Sequence, residues 1–192
     1  KEKKEYGFDT YANQVMTAVY AWDNTANAWK GTEKYEYVYD AEQRMISSID
    51  YVWVTSEWKA DSKKTWAYDA EVEDRVTKYF EYKRNTSNNE LQYFKGFEKE
   101  WDAENRLTLD IQYTAAANNI WTAGTKKEWE YDADGNQTLY ALSTISNGNW
   151  IGSSKETWTY GGPSGQLTLH EKYGWAGTWS MTLSEEKEYD IS

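Results

Sequence analysis

The chain of 192 residues carries 21 Lys and Arg against 32 Asp and Glu, which gives a formal net charge of -11. Nucleic acids and anionic membrane surfaces select basic patches, so this balance predicts that neither is a partner. The absence of Cys excludes disulfides, thiolate metal sites and a cysteine nucleophile. No apolar run approaches the ~18 residues that a membrane span requires. The first residue is Lys1 instead of Met, which is compatible with a trimmed or mature form.

Aromatic residues supply most of the large apolar side chains. The chain has 12 Trp and 17 Tyr, while its mean hydropathy is only -0.97. Disordered segments are poor in aromatic residues, so this composition predicts a folded domain. Each aromatic side chain buries a large area, and we therefore expect rings to replace the usual aliphatic core.

An aromatic residue, usually followed by an acid, recurs along the chain at steps of 31, 29, 33, 30, 29 and 29 residues. A second marker is a Trp followed closely by Gly, as in WKG, WTAG and WIG. Such self-similarity predicts a single repeat array over residues 1–192. The recurring aromatic residues are Phe8, Tyr39, Tyr68, Trp101, Tyr131, Tyr160 and Tyr189. The approximate units are 1–31, 32–60, 61–96, 97–124, 125–152, 153–181 and a partial unit 182–192.

Residue types within each unit alternate with a period of two, which indicates β-strands. Every second residue from Trp58 to Trp66 and Tyr68 would lie on one face, so we expect the rings at both ends of this long strand to share that face. The dipeptide Asn147-Gly148 is a strong signal for a two-residue hairpin. This hairpin sets Ile145 opposite Trp150, and the same offset sets Trp53 opposite Trp58. The single Pro, Pro163, lies in a predicted turn.

These patterns predict an all-β protein, an antiparallel β-hairpin meander of about twelve strands. The apolar aromatic face must be covered, and the natural twist of strands favours curling the sheet around that face. We therefore expect a curled or barrel-like single sheet with its aromatic face inward; the alternative is an open single-layer sheet. Insertion into a membrane as a barrel is not expected, because Lys64, Lys99 and Lys127 interrupt the predicted aromatic face.

The turns between units resemble the YD (Tyr-Asp) repeats of Rhs-type and toxin-complex proteins. The matching segments are YDAEQR (39–44), YDAEVEDR (68–75), WDAENR (101–106) and YDADGNQT (131–138), and YDIS (189–192) starts another. The resemblance implies a β-hairpin array at bacterial surfaces or in secreted proteins, where the repeat is scaffold or shell. It implies no catalytic residue. Similar Trp-rich versions occur in surface proteins of gut bacteria, which favours a cell-surface or extracellular location.

The turn at 132–136 has the composition of a cation-binding loop. Asp132, Asp134 and Asn136 place three oxygen ligands at alternating positions, as calcium sites do. The loop lacks the downstream bidentate Glu, however, and sister turns place Arg at the third position. We interpret these segments as Asx-type turns, with Gly135 or Asn105 in the left-handed conformation. No metal or cofactor is predicted.

No constellation of side chains singles out a catalytic centre. Glu128 and Glu130 fall on the predicted charged face, where ion pairs explain them without catalysis. His170 is the only histidine, so two-His metal sites are excluded and a Ser-His-Asp triad lacks support. The alternation pattern places His170 on the polar face, where we expect it to be solvated. We therefore predict that the chain is not an enzyme.

Clusters of Trp and Tyr at the hairpin ends are the remaining candidates for a site. They either pack over the tight turns or form platforms on which sugar rings stack. Equivalent residues would recur two strands apart, about 9.5–10 Å, a spacing that suits a repeating ligand. The candidate stacking residues are Tyr20, Trp22, Trp29, Tyr51, Trp53, Trp58, Tyr173, Trp175 and Trp179.

The first functional hypothesis is a non-catalytic bacterial surface or secreted repeat module that serves as scaffold or adhesion element. The alternative is a glycan-binding module, and a glycoside hydrolase ranks third. The expected partners are a glycan or another surface protein. The sequence leaves the oligomeric state open.

Overall fold

The computed structural model describes residues 1–161 and 165–187, and all regular structure within these ranges is β-strand. Predictions that concern Pro163 and the segment YDIS lie outside the described residues. The strands are β1 (Glu2–Phe8), β2 (Gln14–Asp23), β3 (Ala28–Tyr39), β4 (Met45–Val54), β5 (Glu57–Tyr68), β6 (Val76–Arg84), β7 (Leu91–Trp101), β8 (Leu107–Ala117), β9 (Ile120–Tyr131), β10 (Gln137–Ser146), β11 (Asn149–Gly161), β12 (Gln166–Trp175) and β13 (Trp179–Glu186).

The thirteen strands form one antiparallel sheet in chain order from β1 to β13. This confirms the all-β hairpin meander and its alternative form, the open single-layer sheet. The barrel-like closure that we favoured is wrong, because β1 and β13 each have a single neighbour in the strand order. The rings do not need an enclosed interior, since they cover one another. Among the described residues no large side chain is fully buried, and only Ala18 and Ala141 are buried hydrophobic residues.

The chain is divided into two compact units. The first comprises Lys1–Gly96 and Ala116–Asn119, and the second comprises Phe97–Ala115 and Ile120–Ser192. Both units contain tight hairpins of the predicted kind. No helix in the described ranges has the length and apolar character needed to cross a membrane.

Two-residue turns close several hairpins. Asn147 and Gly148 have φ angles of 51° and 76°, and Ile145 pairs with Trp150 as predicted. Trp53 likewise pairs with Trp58, across a turn whose two residues also have positive φ. Positive φ at both central residues matches the twist of the flanking strands, which explains why these turns close tight hairpins.

A β-bulge in the long strand of these hairpins reverses which side chains lie on each face. In the β4–β5 ladder Tyr51 pairs with Ala60 but Asp50 pairs with Ser62, so Asp61 is an extra residue. One extra residue inverts the alternation beyond it. Trp58 therefore lies on the opposite face from Trp66 and Tyr68, and our expectation that these three rings share a face is wrong. Equivalent extra residues occur in β3, β11 and β13, namely Thr32, Ser153 and Thr182.

Candidate functional site

The turn aspartates bind their own turns. The backbone N–H of Asp40 donates to the carbonyl of Arg44 at 3.0 Å. In return its Oδ1 accepts from the N–H of Arg44 at 2.8 Å, and its Oδ2 accepts from Arg44 Nε at 2.9 Å. Gln43 has φ of 65° and occupies the left-handed position. This geometry confirms the predicted Asx-type turn.

The loop with the composition of a calcium site has the same geometry. Asp132 Oδ1 accepts N–H bonds from Asp134 at 3.0 Å and Asn136 at 2.8 Å. Its Oδ2 accepts from the side-chain amide of Asn136 at 3.0 Å, and Gly135 has φ of 89°. Both oxygens therefore serve the turn. Within residues 1–161 and 165–187, no group of three or more His, Cys, Asp and Glu side chains is arranged to hold a metal ion.

These hydrogen bonds favour the ionised carboxylates. The side-chain amide of Asn13 is the main cause that lowers the pKa of Asp9, and that of Asn136 does the same for Asp132. The backbone N–H of Glu71 is the main cause of the lowered pKa of Asp69. A lowered pKa in the folded state stabilises the fold above the ordinary pKa of 3.8, and that stabilisation is lost as the pH falls towards the folded-state value.

We therefore expect the urea midpoint of unfolding to fall as the pH is lowered below about 4. The variant Asp9→Asn/Asp132→Asn should have a lower midpoint at pH ~7 and a smaller further loss in acid, because an amide cannot be protonated there. The control Glu33→Gln/Glu130→Gln removes the same number of charges from exposed positions. Equal acid responses in both variants would show that overall charge, and not the turn bonds, governs the effect.

The turns that follow Tyr68 and Tyr131 are also tied to the turn of the preceding hairpin. The hydroxyl of Tyr68 donates to the carbonyl of Met45 at 2.9 Å, and the guanidinium of Arg44 lies 4.6 Å from the centre of the Tyr68 ring. Tyr131 and Arg106 repeat the second contact at 4.7 Å. Sequence reasoning missed these links, although the Tyr-Asp pairs followed by Arg contained the signal.

The predicted stacking residues form edge-to-face pairs across the hairpins. The ring centres are 5.3 Å apart for Trp22 and Trp29 and 5.0 Å apart for Trp53 and Trp58. Such pairs contribute ~0.5–1.5 kcal/mol beyond their buried area. In the second unit Trp175 and Trp179 repeat the arrangement at 5.0 Å. Trp175 is exposed at 36%, while the other five of these rings and Tyr20, Tyr51 and Tyr173 are half-buried.

Tyr20 joins the first hairpin to the second. Its ring centre lies 6.1 Å from that of Trp53 and 5.8 Å from that of Trp58, and its hydroxyl accepts from Trp58 Nε1 at 3.3 Å. A glycine makes this approach possible. A Cβ atom on Gly31 would lie 2.4 Å from Trp58 Cζ2 and 2.5 Å from Trp53 Cε3. In the second unit a Cβ atom on Gly152 would likewise lie 2.7 Å from Trp175 Cε3 and 2.7 Å from Trp179 Cζ2.

Two of the candidate tyrosines use their hydroxyls within the sheet. Tyr51 donates to Glu36, and Lys34 both pairs with Glu36 at 2.7 Å and lies 4.3 Å from the Tyr51 ring centre. Burial, with help from Glu36, raises the pKa of Tyr51 above its ordinary value. Tyr173 donates to Glu171 at 2.9 Å. The structure thus gives both hydroxyls a structural partner.

His170 does not lie on a solvated polar face as the alternation pattern predicted. Its ring stacks on Trp158 with 5.2 Å between centres and 7° between planes. Its Nε2 lies 2.8 Å from Glu156 Oε2, and its side chain is only 16% exposed. The prediction was wrong because the bulge at Ser153 turns Trp158 to the face that His170 occupies.

A cleft opens between the first two Trp hairpins of the first unit. The β3–β4 ladder begins only at Lys34 and Tyr51, whereas the β2–β3 and β4–β5 ladders continue to their turns. The tips of neighbouring hairpins are therefore not paired with each other, which leaves a space of about 330 Å³. We call this space the hairpin cleft. It is lined by Asp23, Ala26, Ala28, Trp29, Lys30, Trp53, Thr55 and Ser56.

No family model matches the chain, and no curated protein matches it. Among solved structures the chain is similar to one in the crystal structure of TcdB2-TccC3-TEV, with 11% identity and a TM-score of 0.40 over 94% of this chain. It spans only 8% of the length of that protein. It is also similar to a protein of unknown function from Bacteroides fragilis NCTC 9343, with 11% identity, a TM-score of 0.21 and coverage of 97% of this chain and 92% of the other. Similarity this low carries no argument about activity.

Proposed function

We propose that the chain is a non-catalytic β-hairpin repeat module of a bacterial surface or secreted protein, where it acts as scaffold or adhesion element. One observation carries the proposal: the acidic, basic and aromatic side chains that could form a site make contacts within and between hairpins. Asp40 and Asp132 close their own turns, and Arg44 covers the Tyr of the following turn. The Trp pairs cover a glycine of the preceding hairpin.

The resemblance to YD repeats supports the same function. The residues that carry the resemblance, Tyr68, Asp69 and Arg75, are the ones that make the turn contacts: Arg75 Nη2 binds Asp69 at 2.7 Å, and Tyr68 donates to the preceding turn. A motif whose residues are used to join repeats is suited to building an extended shell or stalk. The surface or secreted location is part of this proposal.

Incubating the purified chain with soluble polysaccharides tests the non-catalytic part. We expect no release of reducing ends. The proposal would be overturned if the chain released reducing ends and if substitution of a single Asp or Glu abolished that release while the fold was retained. Antibody labelling of intact cells that produce the full-length protein tests the location, and labelling that requires permeabilised cells would contradict it.

The alternative function, binding of glycans by the aromatic clusters, is favoured by the partial exposure of the rings. Among the described residues no Trp or Tyr is fully buried, so part of each ring is accessible to a ligand. Acrylamide should therefore quench a large part of the Trp fluorescence of the folded chain. Fluorescence that resists acrylamide until the chain unfolds would exclude the rings as a platform and leave the scaffold function intact.

A further inference from the structure

We propose that the hairpin cleft binds one sugar ring of a neutral glycan, an inference that rests on the glycan-binding alternative above. The cleft is a consequence of the fold, because the β3–β4 ladder ends at Lys34 and Tyr51 while the hairpins extend further. Residues 28–33 of β3 and 52–54 of β4 therefore have no ladder partners in each other. The rings of Trp53 and Trp58 cover Gly31, and the open space lies nearer the hairpin tips. A pyranose ring is a compact group that can enter such a gap and bring its own hydroxyl donors and acceptors.

Aromatic surfaces face the cleft from two hairpins. Trp29 and Trp53 line it, and each packs edge-to-face against the other Trp of its own hairpin, at 78° and 79°. These pairs hold the two rings in place before a ligand arrives. Preorganised aromatic surface lowers the entropic cost of binding and suits the C–H face of a sugar.

Polar groups surround the same space. Asp23 accepts backbone N–H bonds from Thr25 and Ala26 through Oδ1, at 2.8 and 3.0 Å. Lys30, Thr55 and Ser56 also line the cleft, and their side chains carry hydrogen-bond donors and acceptors. Lys30 follows Trp29 directly in β3, so these two residues approach the gap between the hairpins from opposite faces of the sheet. Several donors and acceptors beside apolar rings match a ligand with many hydroxyls.

Charge and size narrow the class of ligand. The acid and the base at the rim, Asp23 and Lys30, balance each other, while the whole chain carries a net charge of -11. An anionic sugar would be repelled by this overall charge, so a neutral one is favoured. The volume of about 330 Å³ lies at the lower end of the ~300–1,000 Å³ range of small-molecule sites. The volume therefore suits one sugar ring.

The second unit has a related arrangement. The β11–β12 ladder begins at Ser154 and Gly174, so Trp150 and Trp175 stand beyond the paired region in the same way as Trp29 and Trp53.

Titrations monitored by the indole N–H signals in ¹H–¹⁵N NMR spectra test the proposal. The probes are cellotetraose, maltotetraose, xylotetraose and chitotetraose at up to about 10 mM, because a single open site is expected to bind with a Kd on the order of 1 mM. At least one probe should shift the signals of Trp29 and Trp53. Trp29→Phe and Lys30→Ala should each weaken binding of that probe about tenfold.

Trp179→Phe is the matched control, since it removes the same kind of ring from a hairpin that does not line the hairpin cleft. The affinity of the Trp179→Phe variant for the probe at the hairpin cleft should be unchanged. In Asp23→Asn the side-chain oxygen can still accept the N–H bonds of the turn. This variant therefore tests the contribution of the carboxylate to binding even if Trp29→Phe does not fold. Shifts confined to other Trp residues, or an affinity that is unchanged in Lys30→Ala and Asp23→Asn, would overturn the hairpin cleft as the site but retain glycan binding.

If no probe causes a shift, the hairpin cleft as a sugar site and glycan binding by the chain are both excluded, and the scaffold function stands. New reducing ends in the titration would instead overturn the non-catalytic proposal.

Discussion

Gly31→Ala is expected to lower the free energy of unfolding by about 2 kcal/mol, although the same substitution usually stabilises a strand. The added methyl group would lie 2.4–2.6 Å from the rings of Trp53 and Trp58. These rings cannot simply withdraw, because each also packs on Tyr20. Urea unfolding followed by circular dichroism measures the change.

Gly7→Ala is the matched control for this substitution. Gly7 is also a strand glycine of the first unit, and a methyl group there would meet Met16 Cβ at 3.2 Å and no ring. We expect its stability to remain within about 0.5 kcal/mol of the unmodified chain. If Gly31→Ala is as stable as Gly7→Ala, the Trp rings do not depend on the glycine beneath them.

Trp58→Ala is expected to cost about 2–3 kcal/mol, less than the ~3–5 kcal/mol typical of a fully buried Trp, because its ring is half-buried. The substitution removes the edge-to-face contact with Trp53 at 5.0 Å and the contact with Tyr20 at 5.8 Å. It also removes the hydrogen bond from Nε1 to the Tyr20 hydroxyl. Urea unfolding again measures the change in the free energy of unfolding, from the midpoint and the slope of the transition.

Trp179→Ala provides the comparison. Trp179 packs edge-to-face on Trp175 at the same distance, and an equivalent glycine, Gly152, lies beneath it. Opposite that glycine, however, stands Ser143, whereas Tyr20 stands opposite Gly31. Trp179→Ala should therefore cost less than Trp58→Ala. Equal losses would show that the ring of Tyr20 adds nothing to the cluster.

The strands and their tight turns could be predicted because both depend on local chemistry. Alternation of residue types defines a strand, and Asn147-Gly148 allows the positive φ angles of its turn. The reversal of faces could not be predicted, because the extra residue Asp61 leaves the alternation of Trp58, Trp66 and Tyr68 unbroken in the sequence. Closure of the sheet depends on whether β1 pairs with β13, and such a long-range pairing has no local signature.

The candidate site was predictable in its residue types and not in its geometry. The clustering of Trp53 and Trp58 at a hairpin end follows from a local pairing. The contact of Tyr20 with both rings depends on Gly31, whose role in WKG could not be distinguished from that of a turn residue. The hairpin cleft depends on where the β3–β4 ladder ends, at Lys34 and Tyr51, and no local sequence signal marks that position.

The contact between successive turns has a direction. Tyr68 donates to the carbonyl of Met45 and lies under Arg44, and Tyr131 makes the same contacts with Leu107 and Arg106, so both turns use groups supplied by the turn before them in the chain. A chain synthesised from its N-terminus would find the acceptor and the guanidinium already in position whenever a new turn emerged. Losing the N-terminal turn of such a pair would remove the acceptor of the tyrosine hydroxyl and the guanidinium over its ring, whereas losing the later turn would leave the hydrogen bonds inside the earlier turn, such as those between Asp40 and Arg44, in place. We therefore expect the turns to form in chain order during synthesis, and fraying to be asymmetric.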